Sequence, residues 1–271
     1  MRCLRSLALR ALLTPNPTAK VDAVAQLWQT RATCTLDSHA PLQPPANATL
    51  PGRPAQPVLV APAQVPKRQL NSPSGLAALL HALAHIEFNA INLALDAVWR
   101  FAHMPAAYYH DWLQVAAEEA QHFTLLRTHL QSLPGQPDYG SFAAHDGLWQ
   151  MAQRTAHDVV ARMALVPRTL EARGLDATPP MQAKLRALGG PAAQRTVEIL
   201  DITVRDEVGH VAIGNHWYGW LCQQRQLHPL RHYRELVKHH RAPRLQPPFN
   251  LVARQRAGFS AQELADLAGQ T

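Results

Sequence analysis

Two acidic pairs, each followed by a histidine, carry the strongest chemistry in this chain: Glu118-Glu119-Ala120-Gln121-His122 and Asp206-Glu207-Val208-Gly209-His210. On a helix, residues three apart share a face, so each Glu-x-x-His aims a carboxylate and an imidazole at one point. Two such points, each joined by a further glutamate from a neighbouring helix, describe the lining of a carboxylate-bridged di-metal helix bundle. Hard carboxylate oxygens with one nitrogen per metal, and no thiolate, suit two iron ions, or manganese, better than copper or structural zinc. One Glu-x-x-His arises by chance in many helices. The reading therefore needs the two remaining carboxylates.

Glu87 is the first of them. Leu76, Leu80, Leu83, Glu87, Ile91, Ala94 and Val98 recur at spacings of three and four, an apolar stripe with a carboxylate in its middle. A charge there is costly unless it is paired or bound to metal. Trp112, Val115, Glu119, His122 and Leu126 form a second stripe. Leu200, Val204, Glu207, Val211 and Tyr218 form a third, with His210 beside them. Either acid of each pair could face inward, since Glu118 and Asp206 lie four residues before their histidines; the three-residue choice agrees better with the stripes. For the last carboxylate, Glu171 and Asp158 both qualify. Glu87 precedes Glu119 by 32 residues, Glu171 precedes Glu207 by 36 and Asp158 precedes it by 49. Glu171 repeats the first interval more closely and is preferred. The candidate metal set is thus Glu87, Glu119, His122, Glu171, Glu207 and His210, against a competing reading as a buried Glu–His network without metal. Glu118 and Asp206 remain as acceptors for the outer ring nitrogens of the two histidines.

Other polar residues take plainer roles. His81 and His85 share a helix face turned from Glu87, which favours supporting bonds over ligation. His145-Asp146 reads as a helix cap. Tyr108, Tyr109, Trp112, Trp149 and Trp217 read as core aromatics, and His228, His232, His239 and His240 as solvated residues of a basic tail.

Four long helices must position the site. They are expected from Ser72-Pro73-Ser74 to about His103, from Pro105 to near Pro134-Gly135, from about His145 to Gly174, and from about Pro191 to Gln224. Pro167, four residues before Glu171, distorts the third helix beside the site. Residues 175–190 read as a connection broken by Pro179-Pro180 and Gly189-Gly190, with room for a short helix at Met181 to Leu188. The expected architecture is an all-α four-helix bundle over 72–224. A proline-rich arm (1–71) precedes it and wraps the core; a basic tail (225–271) follows, with a short helix at Ala261 to Ala268. Within the arm, Met1 to Leu13 reads as a short amphipathic helix carrying Arg2, Arg5 and Arg10, and Val21 to Thr30 as another helix.

The bulk properties are those of a globular protein, with 47% hydrophobic and 17% charged residues. No uninterrupted apolar run approaches the ~18 residues of a membrane span. The N-terminus lacks the apolar stretch of a secretory signal. Three cysteines without a Cys-x-x-Cys pair imply neither a disulfide framework nor a zinc ribbon, so a cytoplasmic setting is expected. The net charge of +7 is uneven: +6 over 1–80, −4 over 81–210 and +5 over 211–271. The acid lies where the candidate site lies, and the basic flanks could meet nucleic acid.

Several longer segments resemble a known family. They are His81-Ala82-Leu83-Ala84-His85-Ile86-Glu87, Asp111-Trp112-Leu113 on to Glu118-Glu119-Ala120-Gln121-His122-Phe123, Ala144-His145-Asp146-Gly147-Leu148-Trp149, and Leu165-Val166-Pro167-Arg168-Thr169-Leu170-Glu171-Ala172-Arg173-Gly174-Leu175-Asp176. Over about residues 50 to 260 they resemble a bacterial family of ferritin-like proteins with no established reaction, which implies a ferritin-like bundle. The Leu170-Glu171-Ala172-Arg173 segment is also similar to the ligand segment of tRNA-modifying di-iron hydroxylases and supports Glu171 as a ligand. The chain departs from those enzymes at Gly174-Leu175-Asp176.

The leading expectation is an O2-activating oxidoreductase acting on a small molecule or an RNA, with an electron donor and without a membrane. An iron-handling or peroxide-consuming protein is the second expectation, and a non-enzymatic bundle that binds nucleic acid the third.

Overall fold

The structure is a computed structural model that describes residues 3–72 and 74–269. Those residues form helices and no strand; Cys3 with Thr35 and Leu59 with Ala144 make isolated β-bridges. The chain divides into two compact units, Met1–Trp149 and Gln150–Thr271.

The first unit contains α1 (Leu4–Leu13), α2 (Pro17–Thr30), α3 (Gly75–Arg100), α4 (Ala106–Gln131) and the start of α5 (Gly147–Arg154). Helices α3 and α4 form its central hairpin, with α1 packed on α3 and α2 on α4. Local chemistry starts α2: the Asn16 side chain accepts from the Ala19 N–H at 3.0 Å, and Pro17 occupies the first turn. Pro105 precedes α4 as expected. For α3, Pro73 lies outside the described residues, and Ser74 makes no side-chain cap bond. Helix α3 is long and apolar enough to cross a membrane by length and composition, yet 67% of its most apolar window is buried within the chain, as in a core helix.

The segment between α2 and α3 is tied down by its backbone. Gly52 N–H donates to Leu12 O, Val60 N–H to Ala144 O, and Ser38 O accepts from His103 N–H. Two buried cations add to this packing: Arg5 joins the segment to α1 and α3, and Lys20 joins α2 to α1 and α3. Arg5 donates to the carbonyls of Asp37, Ala40 and Trp99. Lys20 Nζ donates to Ala11 O, Leu12 O and Asn92 Oδ1, which uses all three of its protons at the end of α1.

The second unit holds the end of α5, then α6 (Val159–Leu165), a π turn (Val166–Glu171), α7 (Ala172–Leu188), α8 (Gly190–Gln224), α9 (Pro229–His239), α10 (Leu251–Arg256) and α11 (Ala261–Ala268). Helices α8 and α11 match their expected extents. The expected third helix does not. It breaks after Arg154, because Asp158 caps α6 by accepting from the Val160 N–H at 3.0 Å, and Arg162 donates to Thr155 Oγ1 and Ala152 O at the end of α5.

The expected break at Pro179-Pro180 does not occur either, since both prolines lie inside α7. Pro179 cannot donate to Leu175 O, and Asn250 Nδ2 donates to that carbonyl instead, at 3.3 Å. The chain leaves α7 at Gly189 and Gly190, whose φ values of 72° and 84° favour glycine. Helices α7, α8 and α10 share a core of Ala172, Leu175, Val211, Ala253, Ala257 and Phe259.

Candidate metal centre

In the first unit, α3 presents Glu87 and α4 presents Glu119 and His122. Glu119 and His122 are 1% and 2% exposed, and Glu87 is partly buried. His122 Nδ1 lies 3.3 Å from Glu119 Oε2 and 3.8 Å from Glu87 Oε2. Each residue offers one ligand atom within 4.8 Å of the other two. Metal bonds of about 2.0–2.2 Å place opposing donors roughly 4 Å apart, so the trio needs only a small contraction to grip an ion.

Protons are held tightly at this point. Burial, then the charge and hydrogen bond of Glu119, push the Glu87 carboxyl well above the ordinary range. Burial opposes a charged His122, but hydrogen bonds and charge from Glu119 and Glu87 outweigh it and lift the imidazole to about 11. A dication could replace those protons as the positive partner of the two carboxylates.

In the second unit, α8 presents Glu207 and His210. His210 is fully buried, and its Nδ1 lies 3.4 Å from Glu207 Oε2. The backbone of α7 passes close to that carboxylate: a Cβ on Gly174 would stand 3.7 Å from Glu207 Cγ. Glu171 is one turn before Gly174, on the same side of the chain as it enters α7. Asp158, the other candidate, is spent on the cap of α6 and on Arg225 at 3.2 Å.

In each pair the second acid meets the histidine. The first acids have other partners: Glu118 accepts from Gln114 Nε2, and Asp206 pairs with Arg205.

The remaining residues fall as follows. His81 accepts from the Gly140 N–H; His85 bonds Tyr139 Oη and His145 O, so both brace the 136–146 connection. Asp146 pairs with Arg53 rather than capping α5, while His145 Nδ1 accepts from the Gly147 N–H. Tyr108, Tyr109, Trp112, Trp149 and Trp217 are buried. His228 caps α9, and His240 packs between the His157 and His239 rings.

Residues near Glu171 that spacing did not single out are Arg168, Thr169, Gly214, Tyr233, Arg254 and Glu263. Gly214, one turn beyond His210 on α8, receives the Pro167 ring; a Cβ there would lie 2.5 Å from Pro167 Cβ. The one local signal was an arginine beside Pro167 in an otherwise apolar run.

Comparison with other proteins gives the chain its relatives. A Haemophilus influenzae protein, described as an uncharacterized protein, is 47% identical over 265 residues, which span 94% of this chain and 90% of the relative. No solved structure matches the chain. The profile of the family described as "Protein of unknown function (DUF455)" matches residues 13–265, and the chain belongs to that family.

Proposed function

We propose that the protein is a ferritin-like di-metal carboxylate protein, with iron or manganese, that uses O2 to oxidise an organic substrate. In this reading α3, α4, the run from α6 through the π turn to α7, and α8 are the four bundle helices. Glu87, Glu119 and His122 with Glu171, Glu207 and His210 then serve one dinuclear centre. The observation that carries the reading is the trio of Glu87, Glu119 and His122, whose ligand atoms converge within 4.8 Å. Two carboxylates and one imidazole are a donor set that suits iron and manganese. The same Glu and Glu-x-x-His types recur in the second unit, as expected of a repeated ligand set.

When bound, two redox-active ions would supply the electron transfer that O2 reduction needs, with an external donor completing the balance. The chain's own residues hold the charge. Glu119 and Glu207 present carboxylates beside His122 and His210, and burial of the two imidazoles limits access of water. A small molecule or an RNA is the substrate class, and the basic flanks would favour the latter.

The test is O2 consumption by protein loaded with Fe²⁺, against the same protein stripped by chelation and checked free of iron and manganese. The reading predicts uptake, with product formation when substrate and reductant are present, only in the loaded form. Equal turnover in the stripped form sinks it. Catalysed Fe²⁺ oxidation that no candidate organic molecule or RNA accelerates would favour iron handling instead.

A further inference from the structure

Glu171 ends a π turn, a rare geometry that recurs at functional sites. One residue more than an α-turn holds rotates everything after it by about 100° relative to what came before. The phase in which Glu171, and Gly174 one turn later, follow α6 is therefore set within Val166–Glu171.

Pro167 cannot donate to the preceding turn, and its ring seats against Gly214. Thr169 Oγ1 donates to Ala164 O, five residues back, at 2.7 Å. Tyr233 Oη of α9 lies 2.9 Å from the Thr169 oxygen, so with the Thr169 proton committed, Tyr233 donates to it. Arg168 is buried, donates to Asn215 Oδ1 and pairs with Glu263 of α11. Its guanidinium lies over the rings of Tyr218, Tyr233 and Phe259, about 5 Å from each. Five residues beyond Glu171, Asp176 binds Arg254 through both carboxylate oxygens. The C-terminal segment thus grips the chain on both sides of Glu171.

We infer that residues 229–268 form a clamp on the π turn that fixes the register in which Glu171 is presented. Arg168 and Thr169 are positioning residues of that clamp. The inference rests on the di-metal reading for its metal-binding consequence, and on the π turn alone for its effect on backbone dynamics.

The experiment uses the full chain and Mn²⁺, followed by loss of the free-ion electron paramagnetic resonance signal, together with hydrogen exchange of residues 166–176 in the metal-free protein. Tyr233→Phe and Thr169→Val should weaken one of the two Mn²⁺ equivalents about ten-fold or more, as loss of a supporting hydrogen bond does elsewhere. Thr169→Ser, which keeps the hydroxyl, should restore it. Exchange protection of 166–176 should fall in the first two variants and recover in the third. Unchanged protection overturns the clamp. Lost protection with unchanged Mn²⁺ affinity overturns the positioning role. If the wild-type protein binds no Mn²⁺ or Fe²⁺, the di-metal reading fails, and the exchange data alone decide whether the clamp exists.

Discussion

In the first unit, Glu87, Glu119 and His122 sit on two helices of 26 residues that run without interruption. In the second, Glu171 closes a π turn that leads into a helix with two internal prolines, patched by side chains from far along the chain. Asn250 donates to a carbonyl that Pro179 leaves without its helical partner, and Arg254 donates to Ala172 O. A continuous helix needs only its own hydrogen-bond ladder to place a ligand. An interrupted helix places one through tertiary contacts, which makes that ligand more exposed to distant substitutions.

Substitutions that separate the two halves break or sharpen this comparison. The largest effect is expected at the ligands. Glu119→Ala should weaken metal binding by more than about 100-fold, beyond what loss of a supporting residue produces. If the two trios serve one centre, metal titration of Glu119→Ala and Glu207→Ala should show both equivalents perturbed in each variant; loss of one equivalent from each would separate them.

Next comes the clamp. Arg254→Met leaves the Asp176 carboxylate buried without its cation and should cost about 3–5 kcal/mol in urea unfolding. The matched change in the first unit, Lys20→Met, strands no charge, because Lys20 donates to uncharged oxygens and lies over the Phe88 ring; it should cost less than about 2 kcal/mol. Equal losses would deny the second unit its special dependence on the tail. Gly214→Ala drives a methyl into Pro167 and should cost about 1–3 kcal/mol, read as a lowered thermal midpoint.

The smallest effect concerns pH. Glu87 and His122 both bind protons more tightly in the folded metal-free protein than their ordinary values of 4.5 and 6.5 imply. The stability they contribute is therefore complete below those values and is lost as pH rises through the raised ones, near 11 for His122. The urea midpoint of metal-free protein should fall as pH is raised above 6.5, and the double change Glu87→Gln and His122→Gln should flatten that slope. Metal affinity should rise over the same range, because binding displaces the protons.

Much of the first unit was legible in the sequence because its cues are local. The stripe of Leu80, Leu83, Glu87 and Ile91 locates a carboxylate on a core helix, and Pro105 announces the start of α4. In the second unit the local rules misled. Asp158 reads as a mid-helix acid until its side chain is seen capping α6, and Pro179-Pro180 reads as a break until Asn250 is found 71 residues later. Only folding brings that partner into place, so no window of sequence could have shown it. The buried Arg168, ringed by Tyr218, Tyr233 and Phe259, escaped for the same reason.

The most direct test of the central claim is metal analysis of the full chain purified without a metal-affinity tag. The account predicts two equivalents of iron or manganese per chain, lost on Glu119→Ala in protein that remains folded. Wild-type protein that contains neither metal and takes up none on anaerobic titration would contradict it, and would return these residues to a buried network of glutamates and histidines.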